Sequence, residues 1–247
     1  MRGDLKHDED IFGRALLDWA TGGVTPEVLE RDDGFTQVGA GPEVYLSEFR
    51  AWPSAERSSV RYMRGRVVDV GCGAGRVALE LQRRGTPVVG VDSSPLAVRA
   101  AIMRGVNEAW CRSVDELVTQ IGDFDSIVLF GNNFGIFETP QRAREILSAL
   151  AKSSKPNARM LIESTNPYCG GAPGFDRSYY HQNKDRGRPP GQATFRFRYD
   201  DAVGPWFNWL YVSRQEMRAI LRGTGWHHRL VLGAECSEPY VAVLEKD

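Results

Sequence analysis

The sequence predicts an α/β fold built on a mostly parallel, seven-stranded sheet, and three observations predict it. Short β-branched apolar runs alternate with segments of helical spacing from about Arg66 onward. A glycine-rich turn joins the first of these runs to its helix, and the second run closes on an acid, Asp92. Strands alternating with helices imply a parallel sheet covered on both faces.

The elements follow in order. Residues 1–62 read as an N-terminal helical cap, with a helix over Asp10–Ala20, a turn at Asp32-Asp33-Gly34 and an aromatic-rich stretch over Glu43–Trp52. The main domain spans 63–247. Val67–Val70 is short, apolar and β-branched, as a buried parallel strand requires. Val77 and Leu81 fall four apart in a helix that stops at Gly85. Pro87–Val91 is the second strand. Ser93-Ser94-Pro95 then supplies an N-cap and a first-turn proline for a helix ending at Gly105. Glu108–Cys111 is a third strand, Ser113–Glu116 a capping box opening a helix, and Asp125–Phe130 a fourth strand. A helix runs from Thr139-Pro140 to about Lys152, and Arg159–Ser164 is the fifth strand. A lid is expected at about 166–212, a loop rich in Gly, Pro, Asn and Tyr followed by two strands, Thr194–Tyr199 and Trp206–Val212. A second capping box, Ser213–Glu216, leads the last helix. Trp226–Leu232 and Tyr240–Glu245 close the sheet as an antiparallel pair.

Composition narrows the function. Hydrophobic residues make up 42% of the 247 and charged residues 26%, the balance of a globular protein. The net charge of −1 gives no overall basic excess to replace nucleic-acid counterions. Cys72, Cys111, Cys169 and Cys236 are widely spaced without a Cys-x-x-Cys pair, so neither a zinc site nor a dense disulfide framework is expected, and a reducing cytoplasm fits. No run approaches the ~18 apolar residues a membrane span needs. Nucleic acid and membrane are disfavoured and a homodimer is compatible; the small-molecule partner is expected from the pocket that lid and cap would enclose, not from composition.

The chemistry sits in Asp69-Val70-Gly71-Cys72-Gly73-Ala74-Gly75, between a strand and a helix. Glycines admit a ligand close to the backbone, and the helix start offers free N–H groups. Asp92, 21 residues beyond Gly71, is placed to accept hydrogen bonds from both hydroxyls of a ribose. This motif closely resembles the first motif of class I S-adenosylmethionine-dependent methyltransferases. Val91-Asp92-Ser93-Ser94-Pro95 is similar to the segment after their second strand. The resemblance runs from about Arg66 to Glu245. It implies a Rossmann-like class I methyltransferase fold, S-adenosylmethionine as cofactor, and methyl transfer to an O, N or C nucleophile. It also implies that Gly71, Gly73 and Gly75, with Asp69 and Cys72, seat the methionine end. Asp92 and Ser93 would hold the ribose, Ser113 and Val114 would flank the adenine, and Phe130, Gly131 and Asn132 would face the sulfonium. Two alternatives remain: a nicotinamide-dependent oxidoreductase, whose fingerprint expects glycine where this chain has Arg76, and a non-catalytic binder of the nucleoside.

For the acceptor, Asn133 and Phe134 follow the fourth strand, where ligands sit in such folds, although a turn asparagine capping backbone is an equal reading. The Asn-Pro-Pro-Tyr sequence of amino and base methyltransferases is missing, which weakens a nucleic-acid base without excluding an amine. His181, with Tyr180 beside it in the lid, and Glu163 at the fifth strand's end are the candidate catalytic groups, Tyr180 being placed against substrate. Tyr45 is expected to cover the donor, while Phe49 and Trp52 pack. Phe195, Phe197 and Tyr199, like Phe207, Trp209 and Tyr211, read as a hydrophobic layer rather than a substrate cage, with an edge residue able to reach the pocket. No metal is expected.

Overall fold

A computed structural model of the chain describes residues 9–169, 172, 174, 176–234, 236 and 239–246. Helix α1 (Ile11–Ala20) begins at Asp10, whose side chain accepts from Gly13 N. The same carboxylate accepts from Ser94 Oγ at 2.6 Å and Leu96 N at 3.1 Å, so one buried acid caps two helices and docks them. Strands β1 (Val28–Arg31) and β2 (Thr36–Val38) follow as an antiparallel hairpin around the expected turn. The short helices α2 (Pro42–Tyr45) and α3 (Ser54–Ser59) lead to the main domain.

There the alternation is as predicted: β3 (Val67–Val70), α4 (Arg76–Arg83), β4 (Val88–Asp92), α5 (Pro95–Met103), β5 (Ala109–Cys111), α6 (Val114–Leu117), β6 (Ser126–Leu129), α7 (Pro140–Ser153) and β7 (Arg159–Ser164). Beyond it come α8 (Arg177–Asp185), β8 (Gln192–Tyr199), β9 (Ala202–Val203), β10 (Phe207–Leu210), α9 (Arg214–Leu221), β11 (Trp226–Leu232) and β12 (Tyr240–Lys246). The main sheet runs β5-β4-β3-β6-β7-β12-β11, parallel from β5 to β7. β12 is antiparallel to both β7 and β11. Successive strand residues face opposite cores. Val68, Ile127 and Met160 pack with α7 and α9, whereas Val67, Val128 and Leu161 pack with α3 and α4. Period-2 alternation between two apolar faces explains why these strands read as unbroken hydrophobic runs.

A second, antiparallel sheet departs from the expected helical cap. β1 and β2 join the strands of the lid in the order β10-β8-β1-β2, with β9 on the side of β8. Val28-Leu29-Glu30-Arg31 is too short and too polar to declare itself a strand; it forms because β8 offers Phe197 and Phe195 opposite Leu29 and Arg31. The lid likewise contains a helix, α8, capped by Asp176. Buried Arg31 ties lid to hairpin, donating to Asp33, to Asp176 and to the carbonyl of Gly174. Among the described residues no helix is long and apolar enough to cross a membrane.

Candidate active site

Between the two sheets lies a cavity of about 1400 Å3, floored by the carboxyl ends of β3, β4, β6 and β7. Its centre is the turn after β3. Gly71, Gly73 and Gly75 all have positive φ (69°, 53° and 78°), which glycine adopts without strain. Gly71 N and Cys72 N donate to Val91 O, and Gly73 N donates to Asp92 Oδ2 at 2.9 Å. Asp92 Oδ1 accepts from Ser94 N at 2.9 Å. Each oxygen of this acid therefore has one backbone donor and a lone pair left for a ligand hydroxyl.

The expected donor-site residues largely converge. Asp69, Gly71, Cys72, Gly73, Asp92 and Ser93 border the cavity. So do Ser113 and Val114, the segment Phe130, Gly131 and Asn132, and Tyr45 from the N-terminal side. Gly75 does not border it: a Cβ there would lie 2.5 Å from Val106 and 3.2 Å from the Ala101 Cβ, so this glycine lets the start of α4 pack against the end of α5. Asn133 borders the cavity, but its Nδ2 donates to Val70 O (2.9 Å) and Gly71 O (3.0 Å), which makes it a brace for the glycine turn. Phe134 is fully buried against Phe137, away from any substrate. Tyr180 and His181 lie on α8 outside the cavity, His181 exposed, so neither is brought to the site. The reason is the helix itself, which turns buried Tyr179 inward and leaves His181 on its outer side.

Glu163 is brought to the site. It is 2% exposed, Oε1 accepts from Asn132 N at 2.8 Å, and Oε2 has no hydrogen-bond donor. Burial pushes its carboxyl well above the ordinary range, and neighbouring Glu56 adds to the effect both by repulsion and by a carboxyl–carboxyl hydrogen bond. Asp69 is also buried with Oδ2 unpartnered, and burial lifts it to about 7 despite the opposing pull of Arg76. Burial raises Asp92 too.

Several residues bordering the cavity escaped the sequence reading. Buried Glu27 accepts from Gly41 N at 3.1 Å, and its carboxyl is raised by burial. The Tyr45 hydroxyl is pushed up by burial first and by Glu27 second. The second sheet contributes Leu29, Phe195, Phe197, Phe207 and Trp209, so the aromatics expected to form a mere layer are the roof of the cavity. Cys169 and Cys236, also at its edge, form a disulfide between the lid and the β11–β12 loop. Glu27 and the disulfide left no local signal; the alternation in β8 was the one available clue to the roof.

The residues present fit a nucleoside carrying an amino acid. An unpartnered carboxylate oxygen beside a glycine turn suits an ammonium group, and Asp92 suits a ribose. The comparisons agree. Residues 67–157 match the family model of the methyltransferase domain. A ubiquinone biosynthesis O-methyltransferase of Xanthomonas oryzae pv. oryzae is 28% identical over 107 residues, which span 41% of this chain and 43% of that protein. The chain thus aligns with less than half the length of the curated relatives it matches. Among solved structures, a SAM-dependent methyltransferase from Bacteroides fragilis in complex with S-adenosyl-L-homocysteine has a TM-score of 0.82 at 23% identity, covering 99% of this chain and 98% of that one. A SAM-dependent methyltransferase from Methanosarcina mazei has a TM-score of 0.58 at 18% identity, over 75% and 95%. The fold is that of the class I S-adenosylmethionine-dependent methyltransferases.

Proposed function

We propose that this protein transfers a methyl group from S-adenosylmethionine to a nucleophile on a small organic molecule held beneath the second sheet. The observation that carries the reading is the buried, donor-less Oδ2 of Asp69 set beside the glycine turn and Asp92. When bound, the cofactor supplies a methyl carbon activated by a positively charged sulfur. Asp69 would hold its ammonium group and Asp92 its ribose hydroxyls. Ser113 and Val114 would flank the adenine, and Phe130 to Asn132 would face the sulfur. The roof excludes water and positions the acceptor. Glu163 is the group placed to receive a proton from the nucleophile.

The roofed cavity and the net charge of −1 favour a small acceptor over nucleic acid. Similarity to the O-methyltransferase of ubiquinone biosynthesis supports an acceptor of that size. A cytoplasmic location belongs to the same reading, and the Cys169–Cys236 disulfide weighs against it, because such bonds are rare in a reducing compartment. A nicotinamide cofactor is disfavoured because Arg76 occupies the position where its fingerprint needs glycine.

Titration calorimetry of the full chain tests the reading. S-adenosylhomocysteine is expected to bind, NADH not, and Asp92→Ala to weaken the nucleoside at least tenfold. No heat with the nucleoside, or tight NADH binding, overturns it.

A further inference from the structure

We propose that the acceptor half of the cavity is built for an amine arriving as its ammonium cation, an inference that rests on methyl transfer as the activity. Phe195, Phe207 and Trp209 of the roof border this half, whereas Phe197 lies stacked between Phe12 (4.4 Å) and Phe207 (5.2 Å) and backs the Phe207 ring. Aromatic faces carry partial negative charge and attract cations, most strongly where water is excluded. The same cavity is bordered by Glu163, a buried carboxyl whose Oε2 meets no ordinary donor and which shares a hydrogen bond with the Glu56 carboxyl, so that the two acids hold a proton between them. Two acids this close repel once both ionise, and an incoming ammonium N–H offsets that repulsion.

The basic groups bordering the cavity point the same way. Both terminal nitrogens of Arg76 are bound to Glu56, and Arg142 is paired with Asp115 at 2.6 Å. Arg112 stands beside Ser113, at the end expected to take the adenine. Among the described residues no lysine or histidine borders the cavity. An acidic acceptor would meet Glu163 and Glu27 without a free counter-ion, whereas an ammonium group meets a carboxylate and an aromatic ceiling.

The same carboxylate serves the chemistry. Burial raises a carboxyl and lowers an ammonium, which narrows the gap a proton must cross between them. Glu163 takes one proton from the ammonium nitrogen. The freed lone pair then forms the N–C bond to the donor methyl as the C–S bond breaks, its electron pair staying on sulfur. The products are a methylammonium, a neutral thioether and a protonated Glu163, which returns its proton to water.

The test is calorimetry on the full chain saturated with S-adenosylhomocysteine. The probes are benzylamine, 2-phenylethylamine and tryptamine, each against the carboxylic acid and the alcohol of matched length. At least one amine is expected to bind tenfold or more tighter than both of its counterparts. Glu163→Gln, which keeps the acceptor for Asn132 N, is expected to remove at least tenfold of that affinity while nucleoside binding stays within threefold. Trp209→Leu should weaken the amine as well. Acids or alcohols binding as well as amines, no amine binding at all, or an undiminished preference in Glu163→Gln overturns the inference. If Glu163→Gln fails to fold, the wild-type comparison decides: a tenfold preference for an amine supports the inference and its absence overturns it. Failure of S-adenosylhomocysteine itself to bind sinks the methyltransferase reading instead, so the two failures are distinct.

Discussion

Arg76 places its Nη1 and Nη2 each 2.6 Å from a carboxylate oxygen of Glu56, joining the first residue of α4 to the middle of α3. The side chains are 12% and 1% exposed, and the guanidinium also lies 4.8 Å from the centre of the Trp52 ring. The position that a dinucleotide fingerprint reserves for glycine is thus the fastening of the N-terminal segment to the donor turn. Removing one partner of a buried pair leaves an uncompensated charge, at a cost of about 3–5 kcal/mol. Arg76→Met is therefore expected to lose that much in urea denaturation, and Glu56→Leu added to it to recover most of the loss. A loss below about 1 kcal/mol would show that the pair fastens nothing.

Gly135 and Trp209 make a second prediction. A Cβ at Gly135 would fall 2.1 Å from the indole Nε1 and Cε2, so the roof rests directly on the turn after β6. Gly135→Ala must displace the ring, and overpacking of this kind costs about 1–3 kcal/mol. Its melting temperature should fall and its tryptophan emission shift. Trp209→Leu in the same background should restore stability, because the obstructing ring is gone.

Asp69 predicts a pH dependence. Its carboxyl is raised from 3.8 to about 7 by burial, so the folded state keeps a proton that the unfolded state loses near pH 4. Its contribution to stability is complete below about pH 4 and is lost as pH rises through 7. Glu163, Glu27 and Asp92 are shifted in the same direction. Asp69→Asn should flatten the fall of stability between pH 5 and 8 in thermal melts. The ammonium of a bound nucleoside favours the ionised carboxylate, so binding should release a proton and tighten as pH rises through 7. Calorimetry in two buffers of different ionisation enthalpy measures that release, and Asp69→Asn should abolish it.

The disulfide closes a loop of 67 residues between Cys169 and Cys236. Chain-entropy arguments make a closure of this length worth about 4 kcal/mol. Denatured, unreduced protein should titrate two thiols, those of Cys72 and Cys111. Reduction should raise the count to four and lower the denaturation midpoint. Four thiols before reduction would contradict the bond.

How much was legible differs between the halves of the site. The strand boundaries from β3 to β7 and both capping boxes were readable because each rests on neighbours a few residues away. Phe134 was misplaced for the opposite reason. The turn over Asn133–Phe137 is bracketed by Asn132 and Glu138 at positive φ, and it curls Phe134 into the core while turning Asn133 toward the glycines. Composition near β6 gave no hint of that reversal. His181 was plausible from its position in the lid, but side-chain direction on α8 depends on what the helix packs against.

The sequence by itself determined the half of the cavity that fits the nucleoside. A strand, its glycine turn, the next strand and the acid ending it lie within one short stretch, and each follows from local sterics and backbone hydrogen bonding. The half beneath the second sheet depends on the tertiary fold. Arg31 meets Phe195, Glu56 meets Arg76 and Glu163, and Glu27 lies under a roof drawn from both ends of the chain. Contacts between distant segments are set by which surfaces bury one another, and no residue's immediate neighbours encode that choice.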